Sequence, residues 1–309
     1  MTSRKYLPEP ERGFTRWTET RVASVKDFGE DMRGDPFPKE MLKSTLHPDV
    51  IGRGEPVVQA LLAEALVKAL YFTFSIECEI VWPAALAVLK TGYGFDLRRS
   101  DYKATRHVLF EEASHVLQAG RLADLSGGPM IEHRGLMAPG ITRSNRRNRR
   151  NLAQNIRRFA TLFAAIVTEV GIPGGLIAVA RDPAVAPAVA EVFMQHGIEE
   201  ARHALAFGGL LERIWPQLSG EMQEAAAPVL GDLLLAFSRP DLDWETGLLR
   251  RAGFSRDQAI GIIADAYPET ALRDASRAGA ASFVRHMQRA GALDRPAVVD
   301  ALSTRGLIA

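Results

Sequence analysis

The stretch Phe193–Phe207, FMQHGIEEARHALAF, organises the chain. His196, Glu200 and His203 stand at i, i+4 and i+7, about two turns of an α-helix, so the three side chains share one face. Earlier the chain nearly repeats itself. Phe110–His115, FEEASH, places Glu112 and His115 three apart. Two Glu-x-x-His pairs on two helices are a known device for holding two metal ions inside a four-helix bundle.

Composition narrows the field. The 309 residues are enough for one large domain or two smaller ones. A content of 47% hydrophobic and 24% charged residues is that of a soluble globular protein. The formal charge of +1 gives no bulk field, so neither nucleic acid nor an anionic membrane is expected as a partner. The N-terminus, MTSRKYLPEPERGF, lacks an apolar core of signal type. The apolar run Ala60–Ile76 is broken by Glu64 and Lys68, and no uncharged span of membrane length is expected. The single cysteine, Cys78, excludes an internal disulfide and a thiolate cluster and fits a reducing cytoplasm.

Periodicity predicts an all-α fold. Leu61, Leu62, Ala65, Leu66, Ala69, Leu70 and Thr73 recur at three and four, marking a helix from about Pro56 to Lys90. Pro83 lies inside it as a candidate kink, and Gly92 and Gly94 stop it. A second helix runs from Ser100 or Asp101 to about Leu125, and Ser126–Arg143 reads as a loop. A third runs from Ser144 or Asn145 to about Val170, ended by Gly171, Pro173 and Gly174. A fourth spans Ala184–Ile214. Further helices are expected near Glu221–Ser238, Ser255–Ala266, Pro268–Ala290 and Arg295–Leu302. The expected organisation is a single unit over 1–309. Residues 1–49 form an irregular arm, with a short helix near Lys39–Ser44 and with Phe14, Trp17, Phe28 and Phe37 to bind it to the bundle. Residues 50–215 form the helix bundle, and 216–309 accessory helices.

A two-metal site needs about four carboxylates, and in such bundles the two other helices each give one Glu. Glu77 lies 35 before Glu112 (112 − 77) and Glu169 lies 31 before Glu200 (200 − 169), separations that suit antiparallel helix pairs. Glu169 sits in an almost wholly apolar context, LFAAIVTEVGIPGG, where a carboxylate needs a cationic partner. Glu77 shares a face with Thr73, Leu70 and Leu66, whereas its rival Glu79 points roughly 200° round the helix. Glu111 and Glu199 offer a second register, i to i+4 with His115 and His203. The Glu-x-x-His register is preferred because it repeats, which leaves Glu111 and Glu199 as outer or solvated acids. His107 lies near the same stripe. One Glu-x-x-His alone would be a chance pair facing water, but two, each preceded at the right distance by a Glu in an apolar helix, point to metal. Oxygen and nitrogen donors without thiolate suit iron or manganese.

The ordered set Glu77, Glu112, His115, Glu169, His196, Glu200 and His203 resembles the p-aminobenzoate N-oxygenase (AurF-like) family of di-iron enzymes, over about Ala69–Leu210. The 27-residue step from Glu169 to His196 (196 − 169) is similar too. The resemblance implies a ferritin-like bundle in a cytoplasmic homodimer. Seven ligands would hold two iron ions, with manganese as a possible substitute. O2 would be the co-substrate, an external electron donor would serve it, and the nitrogen of an amine, typically an arylamine, would be oxidised toward hydroxylamine, nitroso or nitro products. His196, beyond the usual ferritin-like set, would lower the negative charge of the site and favour nitrogen over carbon.

A substrate pocket would be lined by residues one turn from the ligands, such as Thr73, Leu109, Ala165, Thr168 and Met194, with Arg106, Arg202, Arg273 or Arg285 available to anchor a carboxylate. The run RSNRRNRR, Arg143–Arg150, with Arg157 and Arg158, reads either as a solvated helix start or as a dock for an acidic partner such as a carrier protein. Two other functions stay open: a same-fold hydroxylase, desaturase or oxidase acting on carbon, and ferritin-like iron binding.

Overall fold

The computed structural model describes residues 28–127 and 138–308. Phe14 and Trp17 of the arm, and the part of the predicted loop at 128–137, lie outside the described residues. Among the described residues every regular element is helical, and the one β pairing is an isolated bridge between Asp35 and Val185. The expected all-α bundle is what the chain forms.

The first long helix is α1, Glu55–Ile76. Val58, Leu61, Leu62, Ala65, Leu66, Leu70 and Thr73 are buried, the predicted three-and-four stripe. It does not kink at Pro83. Instead it widens one turn earlier into a π turn, Glu77–Val81, closed by the Trp82 N–H on the Glu77 carbonyl, and resumes as α2, Trp82–Thr91. Proline has no N–H for the regular ladder, and the wide turn takes up the mismatch before the chain reaches Pro83. Gly92, left-handed at φ 56°, ends α2.

Helix α3, Arg99–Leu125, begins one residue before the predicted cap. Asp101 acts from inside the first turn, accepting the Arg98 N–H at 2.9 Å. It also takes Nε of Arg213, at the far end of the fourth bundle helix, at 2.8 Å.

The predicted third helix is two. Helix α4, Gly140–Asn151, carries the arginine run, and α5, Gln154–Arg181, follows after a break at Leu152–Ala153. Gly171, Pro173 and Gly174 do not stop α5. Tertiary packing overrides their weak propensity, because Ile172 among them and Leu176 and Val179 beyond them are buried. Two glycines let the neighbours close in. A methyl group at Gly171 would overlap the ring of Phe237. A Cβ at Gly197 would lie 2.8 Å from Ile177 Cγ1, where α5 meets helix α6, Pro187–Ile214. Gly171→Ala is therefore expected to destabilise the fold by about 1–3 kcal/mol despite alanine's better helix propensity. A lower urea midpoint checks this, and an unchanged midpoint would mean that Phe237 swings aside.

Five further helices pack on the bundle: α7 Gly220–Ser238, α8 Leu242–Arg251, α9 Arg256–Ala266, α10 Glu269–Arg289 and α11 Pro296–Ser303. Sequence periodicity finds four of them and misses α8. Its DLDWETGLLRR is too polar to show a stripe, but Asp241 caps it by accepting the Trp244 N–H at 3.3 Å. The arm residues 39–51 form two 3-10 turns and one short helix, Pro48–Ile51. One contiguous set of buried apolar side chains runs from Phe28 to Leu307, joining arm, bundle and C-terminal helices.

Two helical stretches, Glu55–Gly94 and Ile156–Arg181, are long and apolar enough to cross a membrane by length and composition alone, although charged residues interrupt both, as expected. Both run through the bundle and hold wholly buried acids, Glu77 and Glu169, inside the fold. Apolar sequence on most sides is what a core helix needs.

Candidate metal centre

Four pieces of backbone deliver seven side chains to one buried point. The π turn after α1 brings Glu77, α3 brings Glu112 and His115, α5 brings Glu169, and α6 brings His196, Glu200 and His203. They fall into two groups, Glu77–His115–His196–Glu200 and Glu112–Glu169–Glu200–His203, whose donor atoms lie within 4.8 Å of one another. Glu200 belongs to both. Glu112 also faces both ways, with Oε2 2.8 Å from His115 Nδ1 and Oε1 2.9 Å from His203 Nδ1. Glu200 does the same, at 3.3 Å from His115 Nδ1 and 3.4 Å from His203 Nδ1. Two carboxylates thus span the groups, and Glu77 and Glu169 flank them. His196 directs Nε2 at Glu200 Oε1, 3.1 Å away, and packs its ring 3.9 Å from that of His115, centroid to centroid. The structure brings together all seven residues singled out from the sequence.

The donors fit metal ions better than they fit each other. Both oxygens of Glu77 are buried with no hydrogen-bond partner, and Glu169 reaches only His203 Nδ1, at 3.2 Å without good hydrogen-bond geometry. Four carboxylates this close, with so few donors, are an unbalanced charge that divalent cations would neutralise. In the metal-free protein, protons must do that work. Burial, then the neighbouring carboxylates, hold the Glu77 and Glu169 carboxyls well above their ordinary range. At Glu112 burial and Glu200 push upward, but the imidazoles of His203 and His115 win and bring it to about 2. Burial opposes charge on His115 and His203, yet the surrounding glutamates, Glu112 and Glu200 foremost, hold both well above the ordinary imidazole value. Burial and the His115 cation lower His196.

A pH dependence follows. The raised Glu77 and Glu169 carboxyls and the raised His115 and His203 imidazoles hold their protons to higher pH than ordinary side chains of their kind. Metal ligands must give these protons up. Uptake is therefore expected to release protons and to weaken as pH falls, because acid refills the groups with raised values. Calorimetry in two buffers of different ionisation enthalpy reads the release, and binding without any proton release would contradict it. The raised carboxyls also favour the metal-free fold most below the ordinary carboxyl range. That contribution is lost as pH rises through their folded values.

The acids beside the ligands have defined places. Glu111 accepts from His203 Nε2 at 2.8 Å, and Glu199 accepts from His115 Nε2 at 3.0 Å. Each reaches across to the other helix, fixing the imidazole whose Nδ1 faces the site. Glu79 points outward to Arg146, at 2.7 and 2.9 Å, so Glu77 and not Glu79 enters the site. His107 is half-buried and joins neither group. Of the four arginines proposed as anchors, Arg106, Arg273 and Arg285 are exposed, and Arg202 is bonded to Glu111 at 2.7 Å. Sequence spacing could not show that last link, because Glu111 and Arg202 meet only across two helices.

Thr73, Ala165 and Thr168, expected to line a pocket, are buried, and the Thr168 hydroxyl donates to the Ala165 carbonyl at 2.9 Å. A cavity of about 210 Å³ lies elsewhere, against the outer side of α1, walled by Phe37, Leu42, Phe72, Phe237 and Trp244, with Lys68 at its edge. It contains none of the expected lining residues. In the arginine run, Arg143 faces Asp241, Arg146 faces Glu79 and Arg147 faces Asp232, while Arg149 and Arg150 are exposed on the same helix.

A helical bundle closed around four glutamates and three histidines, arranged as two joined donor groups, is a candidate site for a pair of metal ions. The chain matches the family described as P-aminobenzoate N-oxygenase AurF over residues 55–291, and it belongs to that family of oxygenases. The match covers the C-terminal helices through α10 as well as the bundle. No curated protein matches the chain.

Proposed function

We propose that this chain is a di-iron amine N-oxygenase, using O2 to oxidise the nitrogen of an amine, an arylamine by preference, toward a hydroxylamine, nitroso or nitro product. The observation that carries the reading is His196. It turns a four-carboxylate, two-histidine set into one with three imidazoles, inside a family named for nitrogen oxidation. Glu77, Glu112, His115, Glu169, His196, Glu200 and His203 would hold two iron ions, with manganese able to occupy the same donors. Bound iron would supply the electrons and the Lewis acidity for O2 reduction. The chain's own residues do the rest. Glu112 and Glu200 tie the two positions together, Glu111 and Glu199 orient the imidazoles, and the apolar walls of α1 and α5 keep water from the buried carboxylates. His196 would fill, with an uncharged donor, a position otherwise open to a carboxylate or solvent, which would limit the negative charge at the metals and favour attack on an electron-rich nitrogen over abstraction from C–H.

The test uses protein loaded anaerobically with ferrous iron, then given a reductant, O2 and 4-aminobenzoate. Hydroxylamino-, nitroso- or nitrobenzoate found by mass spectrometry supports the reading. Ring-hydroxylated product alone, or no turnover with iron bound, defeats it. His196→Ala with unchanged N-oxygenation would remove the role given to that residue.

The same reading places the enzyme in the cytoplasm, served by an external electron donor. The exposed Arg149 and Arg150 suit an acidic carrier protein bearing the substrate. It also includes a homodimer, and the outer face of α3 and α6 suits that contact. Glu111–His203 and His115–Glu199 set the two helices antiparallel, so Phe110 lies level with Leu205, and Leu117 with Ile198. All four are more than half exposed, Leu205 at 74%. Over 108–120 and 192–211 no charged residue is exposed, as in the uncharged centre of a protein interface. Leu117→Arg is expected to convert a dimer to a monomer in analytical ultracentrifugation. A wild-type monomer at micromolar concentration would contradict the dimer.

A further inference from the structure

We infer that Arg202 is a positioning residue that preorganises one of the two metal positions, the one built on His203, an inference that rests on the two-metal reading above. The two imidazoles that face both bridging carboxylates are held in mirrored fashion. His115 of α3 donates outward to Glu199 of α6, and His203 of α6 donates outward to Glu111 of α3. The mirror breaks at one residue. Glu111 also accepts from Arg202 Nη2 through its second oxygen, Oε1, at 2.7 Å. Among the described residues Glu199 forms no ion pair with an arginine or lysine, only the one with His115.

The consequence is geometric. Arg202 and His203 are neighbours on α6, and between them they grip both oxygens of one carboxylate on α3. A carboxylate held at both oxygens cannot rotate, so the ring of His203 is oriented by a fixed acceptor. The ring of His115 is oriented by an acceptor held only through His115 itself. The group built on His203, with Glu112, Glu169 and Glu200, is therefore the more preorganised of the two. The group built on His115 takes the second ion.

Cobalt(II) chloride titrated into the full chain, read by calorimetry and by the visible bands of the bound ion, tests this. The wild type should take up two ions in two steps of different affinity. Arg202→Gln should weaken one step by about 10–100-fold and leave the other in place. Glu199→Gln should weaken the opposite step. The metal-free melting temperature of Arg202→Gln should stay near that of the wild type, which a merely structural role would not allow. If Arg202→Gln fails to fold, Arg202→Lys, which keeps the charge and loses the fork, should weaken the same step to a smaller extent. Two unchanged steps in either folded variant overturn the inference while leaving the two-metal reading intact. A wild type that binds no cobalt overturns the two-metal reading itself.

Discussion

Glu200→Ala is expected to abolish binding of both metal ions at once. Glu200 is the one residue present in both donor groups. Its oxygens face His115 and His203 separately, and Oε1 also receives His196. Loss of a flanking ligand such as Glu77 removes a donor from one position. Loss of Glu200 removes a donor from each and the link between them. The expected metal content after loading falls from two per chain to none, and activity falls with it. Retention of one tightly bound ion would show that Glu112 alone can bridge, and the account of Glu200 would then be wrong.

Glu169→Leu is expected to move stability in the opposite direction from function. Glu169 is wholly buried in α5 among Ala165, Ile166 and Val170, and among the described residues its one ion-pair contact is His203. In metal-free protein burial and the Glu200 and Glu112 charges hold its carboxyl well above the ordinary range. Replacing a buried carboxyl that lacks hydrogen-bond partners with an apolar side chain of similar volume removes its desolvation cost, here roughly 1–3 kcal/mol. The metal-free variant should therefore unfold at higher urea than metal-free wild type, while losing one of its two ions. A variant less stable than the wild type without metal would mean that Glu169 makes a structural contact the geometry does not reveal. A site that is destabilising until filled is what a metal centre buried in an apolar bundle should be.

The ligand set was legible because helical spacing is a local property. Glu112 with His115, and His196 with Glu200 and His203, are fixed relative to each other by 3.6 residues per turn, whatever the helices do in space. The choice of Glu77 over Glu79 followed from the same arithmetic, and Arg146 now accounts for where Glu79 goes. What stayed hidden depends on distant neighbours. Gly171, Pro173 and Gly174 read as a stop, but α5 passes through them because Phe237 and the glycine of α6 close against it. The widening at Glu77–Val81 has no signature beyond Pro83, two residues past its end. Helix α8 is held by a cap and by the surface it covers, neither visible as a stripe. Sequence alone reads Arg202 as one more arginine able to anchor a carboxylate, because its partner Glu111 lies on another helix.

The central claim is that the seven converging residues bind two metal ions. Anaerobic loading with ferrous iron, removal of excess metal, and iron determination per chain tests it most directly. The account predicts two irons per chain in the wild type. A loaded, folded protein that retains no iron would contradict it.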